Sequence, residues 1–384
     1  MEHKEKKKPI SKRRKTQSIS TSSFPLDLTR DILSRLPEKS TARFRCVSKL
    51  WSSIITDPNF ITLLETRRPR PTLLLCLKKD DELFAFSVPQ HTQNSNTTYS
   101  SSLPIDIYHT KLPGEYSYLS PTESVHGLIC FQESQNPIFM IWNPSMRSIV
   151  TLLNANTHKS WKKVAVFLGY DPIEGKHKVM CIRYKKTNYV CRVLTLGSAQ
   201  ESWRTVRTNH KHSAGYQTYG RCINGVIYYL ADHENTFEFV LMSFDVRSEK
   251  FGMIKLRSDM HVSDIREDVL ITYEGSIACA DEDNHKRLWI LEDAEKHNWS
   301  SQDFLVPLRH RDKSLKAKFN LLGFTHAGEF VYVPTKFRES RYILFCDPVR
   351  NSCRRFEFKG VKHDGVGKTH LYGFPNHIES QMSL

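Results

Sequence analysis

The spacing of apolar residues divides the chain into three parts. Residues 1–23 are basic and then rich in serine and threonine, without an apolar face, which is the composition of a disordered tail. Residues 24–68 carry apolar side chains at helical spacing and predict a small helical domain. Over residues 69–384, short β-branched and aromatic runs alternate with turns rich in Asn, Asp, Gly and Ser, which predicts a mainly β domain.

The helical part is predicted to form three short helices. The first carries Leu28 and Ile32 on one face and ends at Pro37, because proline does not continue a helix. A second runs through Arg43–Ser53, and a third follows Asp57. About 45 residues of small helices cannot bury all of their large apolar side chains, so we expect some of these to contact a partner.

The β part repeats a unit made of an aromatic-rich strand, a polar turn and a returning strand. Its turns are 47 to 55 residues apart, and another predicted strand pair precedes each unit. Four strands in about 50 residues is the period of a kelch-type propeller blade. The five units cover residues 139–153, 191–206, 241–256, 287–305 and 342–358, with turns near Asn143, Gly197, Asp245, Glu292 and Asp347.

The first and last β segments are predicted to belong together. Residues 72–88 are too short for a complete blade, and the segment with Leu371, Tyr372 and Phe374 can supply a missing strand. The predicted fold is therefore mainly β, with a small N-terminal helical domain followed by a propeller of about six blades. An open β-solenoid and a split sandwich fit the same pattern and stay open as alternatives.

Two sets of motifs resemble known families. The segments FPLDL at 24–28, ILSRLP at 32–37 and RFRCVSKLW at 43–51 resemble the F-box motif. Further along, HGLICF at 126–131, WNPSMR at 142–147, INGVIYYLA at 223–231 and SFDVRSEKF at 243–251 resemble the plant F-box-associated domain of the kelch-like type 3. The two resemblances together cover residues 24–380.

The resemblance implies a non-catalytic, substrate-recognition subunit of a Skp-cullin-F-box (SCF) ubiquitin ligase. The F-box would bind a Skp-type adaptor and, through it, cullin and RING subunits, while the β domain would bind an unknown protein target. A simpler interpretation is that Leu28, Phe44 and Ile54 only fill a small helical core. The positions that match the adaptor-facing residues of the motif are Pro25, Leu28, Ile32, Leu33, Leu36, Pro37, Val47, Ser48 and Trp51.

The net charge of +15 is densest at the N-terminus. Residues 1–15 contribute +6, from eight Lys or Arg and two Glu, and the remaining 369 residues carry +9. The run Lys12, Arg13, Arg14 and Lys15 predicts either a nuclear import signal or a solvated arm, so the expected location is the nucleus, the cytoplasm or both. Apolar runs such as Leu73–Leu77 are too short to cross a membrane.

Candidate chemistry is sparse in this sequence. The nine cysteines are scattered and never spaced as C-x-x-C, so we expect neither a disulfide framework nor a zinc site. No motif indicates a cofactor, a metal or catalysis. A kelch-like propeller enzyme and a basic nuclear protein that binds nucleic acid are the alternative functions, but only the F-box resemblance accounts for residues 24–56. Loops at 90–102, 154–162, 207–219 and 308–318 are candidates for target contact by exclusion.

Overall fold

The computed structural model describes most of the chain outside its N-terminus and several loops. Backbone contacts divide the chain into two units, Met1–Leu63 and Leu64–Leu384. Within the described part, no helix has both the length and the apolar character needed to cross a membrane. The described residues are 25–36, 44, 47–57, 59–60, 71–89, 106–114, 116, 119–133, 138–152, 161, 164–183, 188–198, 202–214, 219–233, 238–260, 270–281, 284, 286–306, 308, 310–312, 317–335, 342–357, 369–382 and 384.

The first unit contains helix α1 (Leu26–Arg35) and helix α2 (Lys49–Ile55). Helix α1 ends where the sequence predicts, because Leu36 precedes a proline and adopts an extended conformation, with φ −76° and ψ 150°. Asp27 lies in the first turn of α1, where a negative charge interacts favourably with the helix dipole.

Helix α2 begins later than the sequence predicts. The predicted helix through Arg43–Ser53 is wrong at Ser48, which is extended with φ −156° and ψ 158°. The Ser48 hydroxyl accepts a hydrogen bond from the Trp51 N–H at 3.1 Å, so it satisfies one of the N–H groups that a helix start leaves without a partner. Ser48 is therefore the N-cap of α2.

The described part of the second unit contains 25 strands that pair antiparallel in six consecutive groups, which we call blades I to VI. Blade I contains β1 (Thr72–Lys79), β2 (Glu82–Pro89), β3 (Asp106–Lys111) and the last strand of the chain, β25 (Thr369–His377). Blade II contains β4 (Leu119–Pro121), β5 (Ile129–Glu133), β6 (Phe139–Asn143) and β7 (Ser148–Thr151). Blade III contains β8 (Val164–Asp171), β9 (Lys176–Arg183), β10 (Asn188–Thr195) and β11 (Arg204–Ser213).

The remaining blades follow the same order along the chain. Blade IV contains β12 (Gly220–Ile223), β13 (Val226–His233), β14 (Phe239–Asp245) and β15 (Phe251–Lys255). Blade V contains β16 (Leu270–Tyr273), β17 (Ser276–Ala280), β18 (Arg287–Asp293) and β19 (Asn298–Asp303). Blade VI contains β20 (His310–Asp312), β21 (Ala317–Phe324), β22 (Phe330–Pro334), β23 (Tyr342–Asp347) and β24 (Ser352–Glu357). Blades III and IV share one sheet because β11 pairs with β13 at Ser213 and Asp232.

The six blades pack face to face in a closed ring. Each of six apolar clusters lies between two consecutive blades, and the last of them joins blade VI to blade I. In β1, Leu74 and Cys76 contact blade II, whereas Leu73 and Leu75 contact blade VI. Successive side chains of a strand point to opposite faces, so one strand serves both clusters. The closed ring rules out the open solenoid and the split sandwich.

The ring closes through the strand that the sequence predicts. Strand β25 pairs antiparallel with β1, and Leu371, Tyr372 and Phe374 lie opposite Leu77, Cys76 and Leu74. The Tyr372 hydroxyl donates a hydrogen bond to the Leu119 carbonyl at 2.8 Å, which ties β25 to blade II as well. The prediction that the C-terminal segment completes blade I is confirmed.

The residues after β25 fix the closure further. The Asn143 side-chain amide donates hydrogen bonds to the carbonyls of Ser380 at 3.1 Å and Met382 at 2.8 Å. Gly127 has φ +81°, and a Cβ there would lie 2.4 Å from the Ser380 Cβ, so the tail leaves no room for a side chain. Met382 and Leu384 pack against the cluster between blades II and III. The last residues therefore anchor blade I to its neighbours.

The turns of the outer hairpins share one construction. An Asn or Asp side-chain oxygen accepts a hydrogen bond from the backbone N–H two or three residues later, which holds a tight turn. The fourth residue after it takes a positive φ, between 48° and 58°. The pairs are Asn143 and Arg147, Asp245 and Glu249, Asp293 and His297, and Asp347 and Asn351. The predicted turns near Asn143, Asp245, Glu292 and Asp347 are therefore confirmed, and the one near Gly197 is confirmed by a turn in which Gly197 has φ +68°.

One pair of cysteines differs from the expectation drawn from sequence. Cys346 in β23 and Cys353 in β24 form a disulfide, with their Cα atoms 4.1 Å apart. Antiparallel pairing places the two residues directly opposite each other, which their separation of seven residues does not reveal. The other cysteines in the described part, at positions 76, 130, 181, 191, 222 and 279, are free thiols.

Deleting residues 369–384 should make the β unit aggregate, because the deletion opens the edge of β1 and exposes the clusters on both sides of blade I. Deleting only 378–384 should lower the thermal midpoint while the protein stays monomeric, because β25 remains. Size-exclusion chromatography and thermal unfolding of both variants check this. A 369–384 deletion that is monomeric and as heat-stable as the full chain would contradict the closed ring.

Candidate functional site

The helical unit presents large apolar side chains to solvent. On α1, Leu28 is 50% exposed and Ile32 is 45% exposed, and their i, i+4 spacing places them on one face. Val47, just before α2, is 58% exposed. Leu26 and Leu50 are also exposed. We use the name apolar face of the helical unit for this set of five exposed residues, of which Leu28 and Ile32 lie side by side on α1.

The residues predicted to contact an adaptor fall into three groups. Pro25, Leu28, Ile32, Val47 and Ser48 are exposed, and Leu36 and Trp51 are half-buried. Leu33 is completely buried, so its side chain supports the helical core and offers no surface to a partner in this structure. Pro37 lies outside the described residues, as do Lys12, Arg13, Arg14 and Lys15 of the predicted import signal.

The simpler interpretation of the helical residues holds for some of them. Ile54 is buried and fills the core, but Leu28 is half exposed and does not. Phe44 is half-buried and meets the Trp51 ring edge-on, with 5.1 Å between the ring centroids. Sequence reasoning missed Leu26 and Leu50, although Leu50 lies three residues after Val47, at helical spacing.

A second candidate site is a cavity of about 640 Å³ inside the β unit. Its walls come from one strand of each of five blades, namely β4, β12, β16, β21 and β25, and from the residues that follow them. Its rim includes the turns His126-Gly127, Glu274-Gly275 and Thr325–Gly328. In the first two turns both residues have positive φ, as type I′ turns require. The cavity is therefore framed by short, conformationally fixed turns at one end of the inner strands.

The polar part of this cavity centres on Glu123. The backbone N–H of Cys222 donates a hydrogen bond to Glu123 Oε1, and the Arg221 Nε lies 3.9 Å from Oε2. Burial raises the pKa of the Glu123 carboxyl to about 7, although Arg221 and the Cys222 N–H act in the opposite direction. The carboxylate is therefore only partly compensated by its neighbours.

A serine and a histidine form another polar contact beside the cavity. Ser124 Oγ lies 2.7 Å from Nδ1 of His377, which is buried. Such a pair also occurs in hydrolases, but burial lowers the pKa of His377 to about 4. An imidazole of that pKa is a weak general base near neutral pH. The part of the chain that the structure describes contains no group of three or more His, Cys, Asp or Glu that could hold a metal.

The loops proposed for target contact by exclusion are only partly described. Residues 207–213 belong to β11 and residues 310–312 to β20, so these two segments are strands and not loops. Tyr219 lines the cavity. The segment 90–102 lies outside the described residues, as do most of 154–162.

Comparison with known proteins identifies both units. The F-box domain profile matches residues 21–63, and the F-box associated beta propeller domain profile matches residues 72–378. A candidate F-box protein of Arabidopsis thaliana, At1g47790, is 54% identical over all of both chains. The Arabidopsis thaliana F-box protein At1g48060 is 39% identical over 94% of this chain and 93% of its own. Among solved structures, a chain of a nidogen/laminin complex aligns with 74% of this chain and 94% of its own, at 8% identity and a TM-score of 0.45.

Replacing Glu123 by glutamine should remove a pH dependence of stability. The folded-state pKa of Glu123 is about 7 and its ordinary value is 4.5, so the unfolded chain loses this proton first as pH rises. The wild-type free energy of unfolding should therefore fall between pH 5 and pH 8, by up to about 3 kcal/mol from this group. Urea unfolding of wild type and Glu123→Gln at pH 5 and pH 8 gives the free energies of unfolding, and the difference between the two proteins in their change with pH measures the contribution of Glu123.

Glu174 supplies the matched control for this measurement. It is exposed in the turn between β8 and β9 and does not line the cavity. Glu174→Gln should keep the wild-type pH dependence. Equal pH dependence in wild type and Glu123→Gln would show that the carboxyl is not desolvated.

Proposed function

Because the chain belongs to the family of F-box proteins with an F-box-associated β-propeller, we propose that it is the substrate-recognition subunit of an SCF-type ubiquitin ligase. Its F-box domain implies binding to a Skp-type adaptor. The observation that carries the proposal is the apolar face of the helical unit, where Leu28, Ile32 and Val47 are each close to half exposed or more.

The energetics of this face favour a protein partner. Completely burying a leucine, isoleucine or valine contributes about 1.5–3 kcal/mol, so burying the exposed half of each gives roughly 1 kcal/mol. Several such residues on or next to two short helices offer apolar surface that a partner helix can cover. Trp51, half-buried against Phe44, is positioned to contribute to both the core and the interface.

In this proposal the β unit binds the target protein. Ubiquitin transfer belongs to the cullin-bound RING machinery, so the chain itself needs no nucleophile or cofactor. The ring of blades provides a rigid body, and the cavity at its centre offers both polar and apolar groups to a ligand. The protein is proposed to act in the nucleus or the cytoplasm, where such ligases meet their targets.

The double change Leu28→Ser with Ile32→Ser should abolish capture of a Skp-type adaptor. Removing two anchors of this kind costs about 2–4 kcal/mol, which is roughly 30- to 1,000-fold in affinity. Both side chains are half exposed, so the folded chain should keep its thermal midpoint. Co-purification of the adaptor and thermal unfolding of each protein measure the two effects.

Val349→Ser is the matched control, because Val349 is 91% exposed in the turn between β23 and β24. It should retain the adaptor fully. Leu33→Ala should instead lower the stability of the helical unit, because Leu33 is buried. If the Leu28→Ser, Ile32→Ser variant captures as much adaptor as wild type, the apolar face is not part of the interface.

The basic tail is proposed to direct nuclear import. Replacing Lys12, Arg13, Arg14 and Lys15 by alanine should shift a fluorescent fusion of the chain toward the cytoplasm, because import receptors bind such clusters through their charge. Fluorescence imaging of both fusions provides the measurement, and the thermal midpoint should not change. An unaltered distribution would leave the tail as a solvated arm.

A further inference from the structure

We propose that the central cavity of the β unit binds an arginine or lysine side chain presented by an extended segment of the target protein. The inference rests on the proposed function, because it names the chemical feature by which the receptor would recognise its target. It is carried by the shape of the cavity, by the incomplete pairing of Glu123 and by the balance of charge and apolar surface around that residue.

The cavity has the size and rigidity of a ligand site. Its volume of about 640 Å³ lies within the range of about 300–1,000 Å³ that is usual for ligand pockets. Inner strands and tight turns form its walls, so few groups need to be ordered when a ligand binds, which favours affinity. Gly323 and Gly373 have no side chain, and a Cβ at either would lie within 3 Å of a side chain on the other strand, so β21 and β25 pack closely at the wall.

Glu123 is a carboxylate that a second cation can stabilise. The Arg221 Nε is 3.9 Å from Oε2, which is longer than a hydrogen bond, and an Arg221 Nη1–H instead donates to the Gly220 carbonyl at 3.3 Å. Within the described residues, the one hydrogen bond to the Glu123 carboxyl group comes from the Cys222 N–H and reaches the other oxygen, Oε1. A guanidinium or ammonium group entering the cavity would supply the missing donor to Oε2.

The charge of the lining selects a cation over an anion. Among the described residues that line the cavity, the carboxyl groups of Glu123 and Glu274 outnumber the single guanidinium of Arg221. This local excess of acid contrasts with a chain whose net charge is +15. An anion drawn to Arg221 would meet two carboxylates, whereas a cation is attracted by both.

The apolar wall suits the stem of a long basic side chain. Leu321, Phe324 and Phe374 line the cavity together with Pro375 and Ile378. Lysine and arginine bury their methylene groups along apolar surface and keep the charged end on a polar group, which is the combination found here. A small inorganic cation would leave this wall in contact with water.

Binding of the cation should depend on the protonation of Glu123. The pKa of Glu123 is about 7. A ligand that binds only the carboxylate form of Glu123 therefore binds about tenfold more tightly at pH 8 than at pH 6. Burial raises the pKa of the Cys222 thiol to about 12 and lowers that of His377 to about 4, so neither of these groups changes charge in that interval. Burial also lowers the pKa of His126 to about 4. Glu274 and His326 line the cavity as well, and variants of both belong in the test.

The test measures weak binding by ligand-detected NMR on the full chain. The probes are acetyl-Ala-Arg-Ala-amide, the same peptide with citrulline in place of arginine, the same peptide with glutamate, and free methylguanidinium. We expect the arginine peptide to bind at least tenfold more tightly than the citrulline peptide, and about tenfold more tightly at pH 8 than at pH 6. Glu123→Gln should remove both differences, while Glu174→Gln, Glu274→Gln and His326→Gln should keep the pH dependence.

Other results overturn the proposal. Equal binding of the arginine and citrulline peptides, or stronger binding of the glutamate peptide, would show that the site does not select a cation. Methylguanidinium binding as tightly as the peptide would point to a small cationic molecule and not to a target segment. Adaptor co-purification with Glu123→Gln tests the proposed ligase function separately from the proposed cavity ligand. The Glu123→Gln variant should retain as much adaptor as wild type, whether or not the cavity binds the peptide.

Discussion

The β unit depends on sheets that are buried on both faces. Strands β5 and β6 are buried at every position, and β1 is buried at all but its two ends. No strand of that kind can lie at an open end of the assembly, because one whole face would then meet water. The ring therefore has to close, and it closes between the first β strand and the last. The same requirement explains why residues after β25 are held by Asn143 and by the cluster between blades II and III.

Closure also determines where unfilled space remains. The innermost strands converge on the centre of the ring, and β4, β12 and β16 are only three or four residues long. Their side chains cannot fill the centre completely, so polar groups such as Glu123 and Arg221 come together there, away from bulk water. The helical unit is the opposite case, because it is too small to bury its own apolar residues. The β unit therefore keeps a polar cavity at its centre, and the helical unit leaves apolar side chains exposed.

Much of this organisation could be predicted from the sequence. The repeat of about 50 residues predicts the blades, and the aromatic residues at 371–374 indicate the closing strand. The proposed adaptor-facing positions follow from the F-box resemblance, but whether Leu33 is buried depends on packing that spacing alone does not determine. The cavity could not be predicted, because lining residues such as Glu123, Arg221 and Leu321 lie far apart in sequence and come together only in the folded ring. The disulfide between Cys346 and Cys353 depends in the same way on the register of two strands.

The pairing of β25 with β1 has a consequence for biosynthesis. Thr72 and its partner His377 are 305 residues apart, so at roughly 5–20 residues per second the ribosome needs about 15–60 s to make the chain between them. During that interval β1 has been made but has neither its closing strand nor blade VI beside it. The F-box segment, which precedes β1, emerges from the ribosome before any of this. A nascent chain can therefore present its F-box segment while its β unit is still open, a period in which chaperones have reason to hold it.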